Sequence, residues 1–495
     1  DYIIEKFATG LQYPTTMYFV GDDILVLEKN TGKVIRIQDN GVIYNEPALD
    51  VPVIFQQEAG LLGIAFASNH IYLYFTESLS GFDKYRIENS KTVVYQYDWN
   101  GKKLTNPILI KELPVLNASH LGGIIAVGLN NEIYFIIGDQ WQYTTSSGDA
   151  ITYDISNAFQ NIPIDTIYET GRIFKVDTEN NNSVELFAMG IRNSFGLTVD
   201  PVTGYLWDTE NSQLRFDEIN LVKSGFNSGW VSVMGPAGNA DIDLSTLNPK
   251  TSGNFVYSDP EFSWYNAVAP TAIAFPDKDS FRKYSDSLFV GAFNSGTIYN
   301  FKLNSDRTGF VFSNPDLSDL VLDDNDKIDE ILFASGFQGV IDIKFHDGAM
   351  YVISDPYGDG IIYKIYPKEP LSPLKQYQNG ITHKNIACKQ SLMPTMSKSG
   401  YVYCVQPKTA LTLINVLNWS VDHPEMPKME LRFQDYLLSN SILTGVDLSG
   451  KDLTGTRLVG VDLSGQDLTG TTLTGADLSN SILTGVDLSG KDLTG

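Results

Sequence analysis

The sequence predicts an all-β protein whose main part is a six-bladed β-propeller. An apolar run, a polar turn and a second apolar run recur six times within the first 367 residues. The chain is also rich in strand-forming aromatics, with 26 Tyr and 26 Phe. A sandwich of two sheets would use similar strands, but six spaced units favour radial repetition.

The six repeats are hairpins of similar design but variable spacing. Most are followed by a glycine and a further strand, so each unit supplies about four strands, as a propeller blade requires. The hairpins span residues 15–29, 60–78, 120–140, 195–210, 270–293 and 339–355.

Charge and composition limit the classes of partner. The net charge of −24 disfavours nucleic acid as a ligand, and no apolar run is long enough to span a membrane. The chain starts at Asp1 without a methionine, which we interpret as a mature, secreted chain. We therefore expect an extracellular or cell-envelope location. Three Asn-x-Ser sequons could carry glycans in that setting: Asn117, Asn181 and Asn418.

The third hairpin holds the best candidate for chemistry. His120 precedes its first strand and Asp139 follows its second, so the hairpin brings an imidazole and a carboxylate to one rim. Such a pair can act as a general base and its orienting partner. Polar residues at comparable hairpin ends, Glu58, Arg192 and Asn193, are predicted to face the same mouth.

Four ordered strings support a family resemblance over about residues 5 to 367: GLLGIAF, SHLGGI with IIGDQ, GIRNSFGLTVDPVTG and DEINLVKSGFNSGW. Together they resemble the soluble quinoprotein glucose and sorbosone dehydrogenases, which are six-bladed propellers. The resemblance implies that His120 takes a hydroxyl proton while hydride passes to pyrroloquinoline quinone (PQQ), and that Asp139 orients the base. It also implies that Arg192 and Asn193 contact the quinone.

Several positions depart from the pattern of that family. Its glutamine near the second hairpin is Glu58, and the two positions whose carbonyls hold calcium fall near Ser212 and Gln213. The lysine that clamps a cofactor carboxylate is Asn294 here, and two clamping arginines fall near Gly339 and Ile341. Losing three charge-assisted bonds of roughly 1.5 to 3 kcal/mol each would weaken PQQ binding by several decades.

Each candidate residue also has a structural interpretation. His120 could be a rim histidine that fixes its loop through Asp139, and Arg192 could form a structural corner with Glu58 or Glu210. Asp217 and Glu218 could bind a cation or cap a turn.

Beyond the propeller, a proline-rich linker leads into a small module over residues 368–438. Cys388 and Cys404 are the only cysteines, and a disulfide is favoured over a metal site because no second metal-binding pair accompanies them. The module resembles cysteine-paired modules at the tails of secreted archaeal proteins.

Residues 439–495 contain a tail with a five-residue period. From Ser441 the tail divides into 11 pentads, each with a central leucine, and residues 480–495 duplicate 440–455. The tail resembles the pentapeptide-repeat family, which implies a right-handed quadrilateral β-helix with inward leucines.

Two functional hypotheses follow. The first is a secreted dehydrogenase that oxidises an aldose or related alcohol with PQQ and calcium. The second is a non-catalytic envelope propeller that binds glycan or protein, with the solenoid mediating self-assembly or docking to an envelope partner.

Overall fold

The computed structural model describes residues 2–21, 23–140, 169–213, 215–239, 255–276, 281–355, 357 and 359–368, with parts of 373–405 and 463–491. The chain divides into two compact units, Asp1–Pro367 and Lys368–Gly495. The sequon at Asn418 lies outside the described residues.

The first unit is an all-β propeller. Its strands form six sheets of four to six strands, in which neighbouring strands along the chain usually pair antiparallel. The strands of the first two sheets are β2 (Pro14–Val20), β3 (Asp23–Glu28), β4 (Lys33–Gln38) and β5 (Leu49–Asp50), then β6 (Leu61–Ala67), β7 (His70–Ser78), β8 (Ser90–Trp99) and β9 (Leu104–Leu113).

The third and fourth sheets are larger because they recruit short strands from later loops. The third contains β10 (Ile125–Val127), β11 (Ile133–Ile137), β12 (Arg172–Asp177), β13 (Ser183–Met189), β17 (Phe226–Asn227) and β18 (Val256–Tyr257). The fourth contains β14 (Ser194–Val199), β15 (Leu206–Glu210), β16 (Arg215–Val222), β19 (Phe262–Asn266) and β23 (Val321–Leu322).

The last two sheets complete the unit. The fifth contains β20 (Pro270–Ala274), β21 (Ser287–Ala292), β22 (Thr297–Lys302) and β24 (Leu332–Ala334). The sixth joins β25 (Val340–His346), β26 (Ala349–Ser354) and β27 (Asp359–Pro367) to the first strand of the chain, β1 (Tyr2–Gln12). Short 3-10 turns span Ala237–Asn239, Arg282–Tyr284 and Pro315–Leu317.

The first strands of the six hairpins contact one another in a closed cycle, β2 to β6, β10, β14, β20, β25 and back to β2. Side chains reinforce this cycle: Thr15 Oγ1 donates to Leu61 O at 3.0 Å, and Tyr74 O–H donates to Leu121 O at 2.9 Å. The last sheet closes the unit because β27 pairs with β1 along its length. This pairing ties the two ends of the first 367 residues together.

Apolar residues on the strands fill the space between sheets. A large aromatic cluster forms between the fourth and fifth sheets, where Phe262 and Trp264 pack on Phe301. Gly63 permits close approach of β6 to the segment before β10, since a Cβ there would lie 2.0 Å from Gly123 O. The strands therefore reach the rim in a fixed register, which positions the loops that carry polar residues.

The second unit contains the hairpin β28 (Met393–Met396) and β29 (Val402–Val405), and the predicted disulfide joins Cys404 within β29 to Cys388. Among the described central leucines of the pentads, Leu463, Leu468 and Leu473 are buried, and Leu478, Leu483 and Leu488 are partly buried and pack against them. None of the helices in the described ranges is long and apolar enough to cross a membrane.

Candidate active site

His120 and Asp139 contact each other at the rim of the third sheet, as expected from their positions at the two ends of one hairpin. His120 Nδ1 lies 2.5 Å from Asp139 Oδ1, and the indole N–H of Trp230 donates to Asp139 Oδ2 at 2.8 Å. His120 is 6% exposed and Asp139 1%. One carboxylate therefore serves two ring donors, which fixes the imidazole plane and favours the tautomer with a proton on Nδ1.

Backbone geometry holds the pair in place. His120 adopts a left-handed conformation with φ 55°, and the backbone N–H of Asp139 donates to Arg192 O at 2.8 Å. Gly138 allows the backbone at His120 and at Arg192 to approach closely, because a Cβ there would lie 2.5 Å from His120 O and 2.7 Å from Arg192 O. The third and fourth sheets are thus joined through the backbone beside the candidate base.

Gln140 secures the loop that leads to His120. Its side chain accepts from Leu116 N at 2.6 Å and Asn117 N at 3.2 Å, and it donates to Pro114 O at 2.8 Å. Because Gln140 is fully buried, these bonds stabilise the segment before the histidine. The sequon residue Asn117 lies in this segment, and Asn181 lies in an exposed turn.

Arg192 is buried beside the acid–base pair. Its guanidinium lies 5.3 Å from the Trp230 ring centroid, and Nη1 donates to Asn211 O at 2.6 Å. Its backbone N–H donates to Glu210 Oε1 at 2.6 Å. The side chain therefore contacts the same indole that holds Asp139.

Glu58 lies just before the first strand of the second sheet, and its carboxylate contacts the loops that lead into the third and fourth sheets. Its carboxylate accepts from Leu121 N at 3.2 Å, and Asn193 Nδ2 lies 3.4 Å from both oxygens. Burial raises the pKa of Glu58, while the charge of His120 lowers it, as do backbone N–H groups and Arg192. The predicted gathering of Glu58, His120 and Arg192 is therefore present in the structure.

Buried acids lie behind Arg192. Burial raises the pKa of Glu210 to about 7, opposed by hydrogen bonds from Ser228 and the Arg192 N–H. Burial also raises the pKa values of Asp208 and Glu218, and the negative charge of the neighbouring Glu210 raises both pKa values further. These acids lie on β15 and β16, where Glu210 pairs with Glu218 in register.

The predicted metal-binding residues have mixed environments. Asp217 accepts from the backbone N–H groups of Ser212, Val268 and Ala269 at 2.6 to 2.7 Å, so it anchors two loops. Glu218 accepts from Gly235 N and Asn220 Nδ2. Gln213 is exposed.

Within the described ranges, no group of three or more His, Cys, Asp or Glu side chains has metal-binding geometry. Asn294, at the predicted cofactor clamp, is exposed, and its amide lies 3.4 Å from Ala267 O. Its backbone N–H donates to Val268 O at 3.0 Å, so these two bonds tie Asn294 to the loop before β20.

Fold and rim together define a class: an all-β propeller with a buried histidine–aspartate pair, an arginine and a glutamate gathered at one mouth. The Glucose / Sorbosone dehydrogenase family model matches residues 11–363, and the chain belongs to that family. The Pentapeptide repeats model matches eight copies at 433–465 and 467–495, so the predicted repeat family is also confirmed.

Individual relatives agree with the family match. The chain is 23% identical over 387 residues to the aldose sugar dehydrogenase YliI of Escherichia coli, covering 74% of this chain and 93% of that protein. The solved apo-form of the soluble aldose sugar dehydrogenase from E. coli superposes with a TM-score of 0.54 at 19% identity, covering 74% and 100%. The PQQ-bound aldose sugar dehydrogenase from Streptomyces coelicolor gives 0.51 at 19%, covering 74% and 98%.

Sequence reasoning missed two residues that shape the site. Trp230 is 91 positions from Asp139, and a lone tryptophan in FNSGW gives no periodic signal of that contact. Gln140 directly follows Asp139, yet a glutamine after a strand resembles any turn residue. Only the fold reveals that one orients the carboxylate and the other fixes the preceding loop.

Proposed function

We propose that this protein oxidises an aldose or a related alcohol, with hydride passing to PQQ. The observation that carries the proposal is the buried chain from His120 through Asp139 to Trp230, at 2.5 and 2.8 Å. Family membership supports this reaction class, and the geometry offers a group that would take the proton.

His120 would act as the general base. With Nδ1 bonded to Asp139, Nε2 is the nitrogen through which the ring would accept a proton from the sugar hydroxyl. Asp139 would stabilise the imidazolium that results, since a fully buried carboxylate interacts strongly with a nearby cation. PQQ, when bound, would supply the acceptor for the hydride that leaves the carbon bearing this hydroxyl group.

The residues near Arg192 fit the quinone end of PQQ and a calcium ion. Beside Arg192, the buried oxygens Asn193 Oδ1 and Asn211 Oδ1 have no hydrogen-bond partner among the described residues. Buried acceptors without donors suit a hard cation, which binds oxygen ligands. Arg192 and Asn193 would contact the quinone, and the carbonyls of Ser212 and Gln213 would hold calcium.

The carboxylate end of the cofactor would be held more weakly. The three residues at the clamp positions are uncharged: Asn294, Gly339 and Ile341. Asn294 is exposed, Gly339 adopts φ 79°, and Ile341 packs against the apolar core. We therefore propose a PQQ site whose affinity is lower than a complete set of cations would give.

Reconstitution tests the proposal. The purified chain is incubated with PQQ and calcium, separated from unbound cofactor, and assayed for quinone absorbance and for dye reduction with several aldoses. We expect turnover that His120→Asn removes without changing the circular dichroism spectrum. A wild-type protein that neither retains quinone at high PQQ concentration nor turns over any aldose would refute the proposal.

The finer architecture and location belong to the same proposal. We infer six blades from the six sheets, a linker and cysteine module over 368–438, and a quadrilateral β-helix over 439–495. Contacts joining residues 19 and 20 apart, Leu463 N to Ile482 O and Lys491 Nζ to Thr471 O, support four pentads per coil. The disulfide supports an oxidising, extracytoplasmic compartment.

The incomplete clamp also favours a second candidate, a non-catalytic envelope propeller that binds glycan or protein. In that case the mouth would bind a sugar without turnover. Calorimetric titration of oligosaccharides in the absence of PQQ distinguishes the two, because glycan binding without any quinone retention fits only the second candidate.

A further inference from the structure

Lys29 lies at the same rim as the candidate active site, directly after β3. Its backbone N–H donates to Tyr13 O at 2.9 Å, and Leu61 N donates to its carbonyl at 3.0 Å. Asn211 N donates to Asn193 O at 2.7 Å in the equivalent place of the fourth sheet. Lys29 therefore occupies the position in the first sheet that Asn211, beside Arg192, occupies in the fourth sheet.

The side chain of Lys29 crosses to the next sheet and brackets Glu58. Its Nζ donates to Gln57 O at 2.8 Å and to Ala59 O at 3.2 Å. Gly60 leaves room for the lysine stem, since a Cβ there would lie 2.3 Å from Lys29 Cγ. The two carbonyls flank Glu58 in the chain, so the ammonium group fixes the segment that carries the carboxylate.

The negative charge of Glu58 stabilises the ammonium form of Lys29. Burial lowers the pKa of Lys29 to about 8, and the charge of Glu58 opposes that change. Glu58 accepts from Leu121 N, next to His120, and lies within reach of the Asn193 amide. An unbalanced carboxylate here would disfavour negative charge developing on a substrate oxygen beside the base.

We propose that Lys29 is a positioning residue: its ammonium group holds residues 57–59 and keeps Glu58 oriented as the acceptor for a hydroxyl of the sugar substrate. This deepens the proposed function and rests on it for the identity of the substrate. Lys29 itself acts through Glu58.

Hydrogen exchange tests the positioning without requiring activity. Lys29→Met removes the ammonium group, Lys29→Arg keeps the charge, and Lys103→Met is the matched control. Lys103 Nζ also contacts a backbone carbonyl and a glutamate, Pro47 O at 2.8 Å and Glu46 Oε2 at 3.3 Å, away from Glu58. We expect amides of 55–61 to exchange about tenfold faster in Lys29→Met alone. Unchanged exchange in Lys29→Met would overturn the inference.

Kinetics of the reconstituted enzyme separate positioning from a purely structural role. Lys29→Met should lower kcat about tenfold, and Lys29→Arg should retain activity. Since arginine keeps its charge, Lys29→Arg should also extend activity to higher pH than wild type. In a Glu58→Gln background, Lys29→Met should have little further effect, because no carboxylate remains to balance.

The two proposals fail in different ways. Two results would overturn the role through Glu58. One is a loss of kcat on Lys29→Met that is as large in the Glu58→Gln background as in wild type. The other is a Lys29→Arg protein that loses activity at the same high pH as wild type. Faster exchange in Lys29→Met with no turnover in wild type would refute the dehydrogenase function while leaving the positioning of residues 57–59 supported.

Discussion

Asp139→Asn tests the central contact of the candidate active site. The carboxylate has two oxygens for two donors, the imidazole at 2.5 Å and the Trp230 indole at 2.8 Å. An amide of the same shape has one oxygen and one NH2 group, so one donor must face another donor. The substitution preserves volume but removes one of the two acceptors and the negative charge that would stabilise the imidazolium.

The expected magnitude follows from the lost bond. A hydrogen bond to a charged group contributes roughly 1.5 to 3 kcal/mol, which corresponds to a loss of about 10- to 150-fold in kcat if the bond orients the base in the transition state. Asp139 is buried, so water cannot readily replace the missing acceptor. The assay is dye reduction by protein reconstituted with PQQ and calcium, together with circular dichroism.

Asp200→Asn is the matched control. Asp200 is equally buried and accepts from Arg307 Nε at 2.7 Å and Nη2 at 2.8 Å, away from the residues around His120. Its substitution should lower the unfolding temperature but leave kcat unchanged. A folded Asp139→Asn protein with wild-type kcat would refute the assignment of Asp139 as the orienting group.

Three further predictions concern the rim, the pH dependence and the cofactor. Gly138→Ala places a Cβ 2.5 Å from His120 O and should lower kcat at least about tenfold, whereas Gly238→Ala, with nothing within 4 Å of the new Cβ, should leave kcat unchanged in the same assay. Burial raises the pKa of Glu261 from 4.5 to about 7, so the unfolded chain loses this proton first and stability should fall as pH rises through that window. Calorimetry should show a shallower fall in Glu261→Gln, and an identical slope would contradict the reasoning. Asn294→Lys restores a cation at an exposed position and should tighten PQQ binding by about 10- to 150-fold in equilibrium titration; unchanged affinity would mean that the carboxylates lie elsewhere.

The part of the fold that sequence could predict was the part governed by local periodicity. The hairpin around Asn130 and Asn131 was confirmed, with β10 and β11 pairing in register and Asn131 at φ 63°. The alternation of apolar runs and turns determines such pairs within a few residues. The added strands β17 and β18 gave no comparable signal, because each is only two residues long and pairs parallel with a distant partner.

The candidate site shows the same limit. His120 and Asp139 were predicted because one hairpin joins them, and the family motifs identified Arg192. Trp230 and Lys29 act across sheets, and their partners depend on how neighbouring blades pack. Contacts between blades carry no sequence period, so only coordinates reveal them.

The rim also suggests why the candidate acid–base pair and the proposed cofactor clamp can diverge independently in one propeller. His120 and Asp139 are fixed by backbone bonds and by the buried Trp230, so their geometry depends on how the third and fourth sheets pack. Asn294 instead lies exposed just after β21, and its amide lies 3.4 Å from Ala267 O. A substitution at Asn294 therefore changes charge without disturbing packing, whereas a change at Trp230 disturbs both the indole bond to Asp139 and the surface beneath Arg192. Reactive groups held by packing should persist longest, and those held only by charge at an exposed edge should be the first to vary.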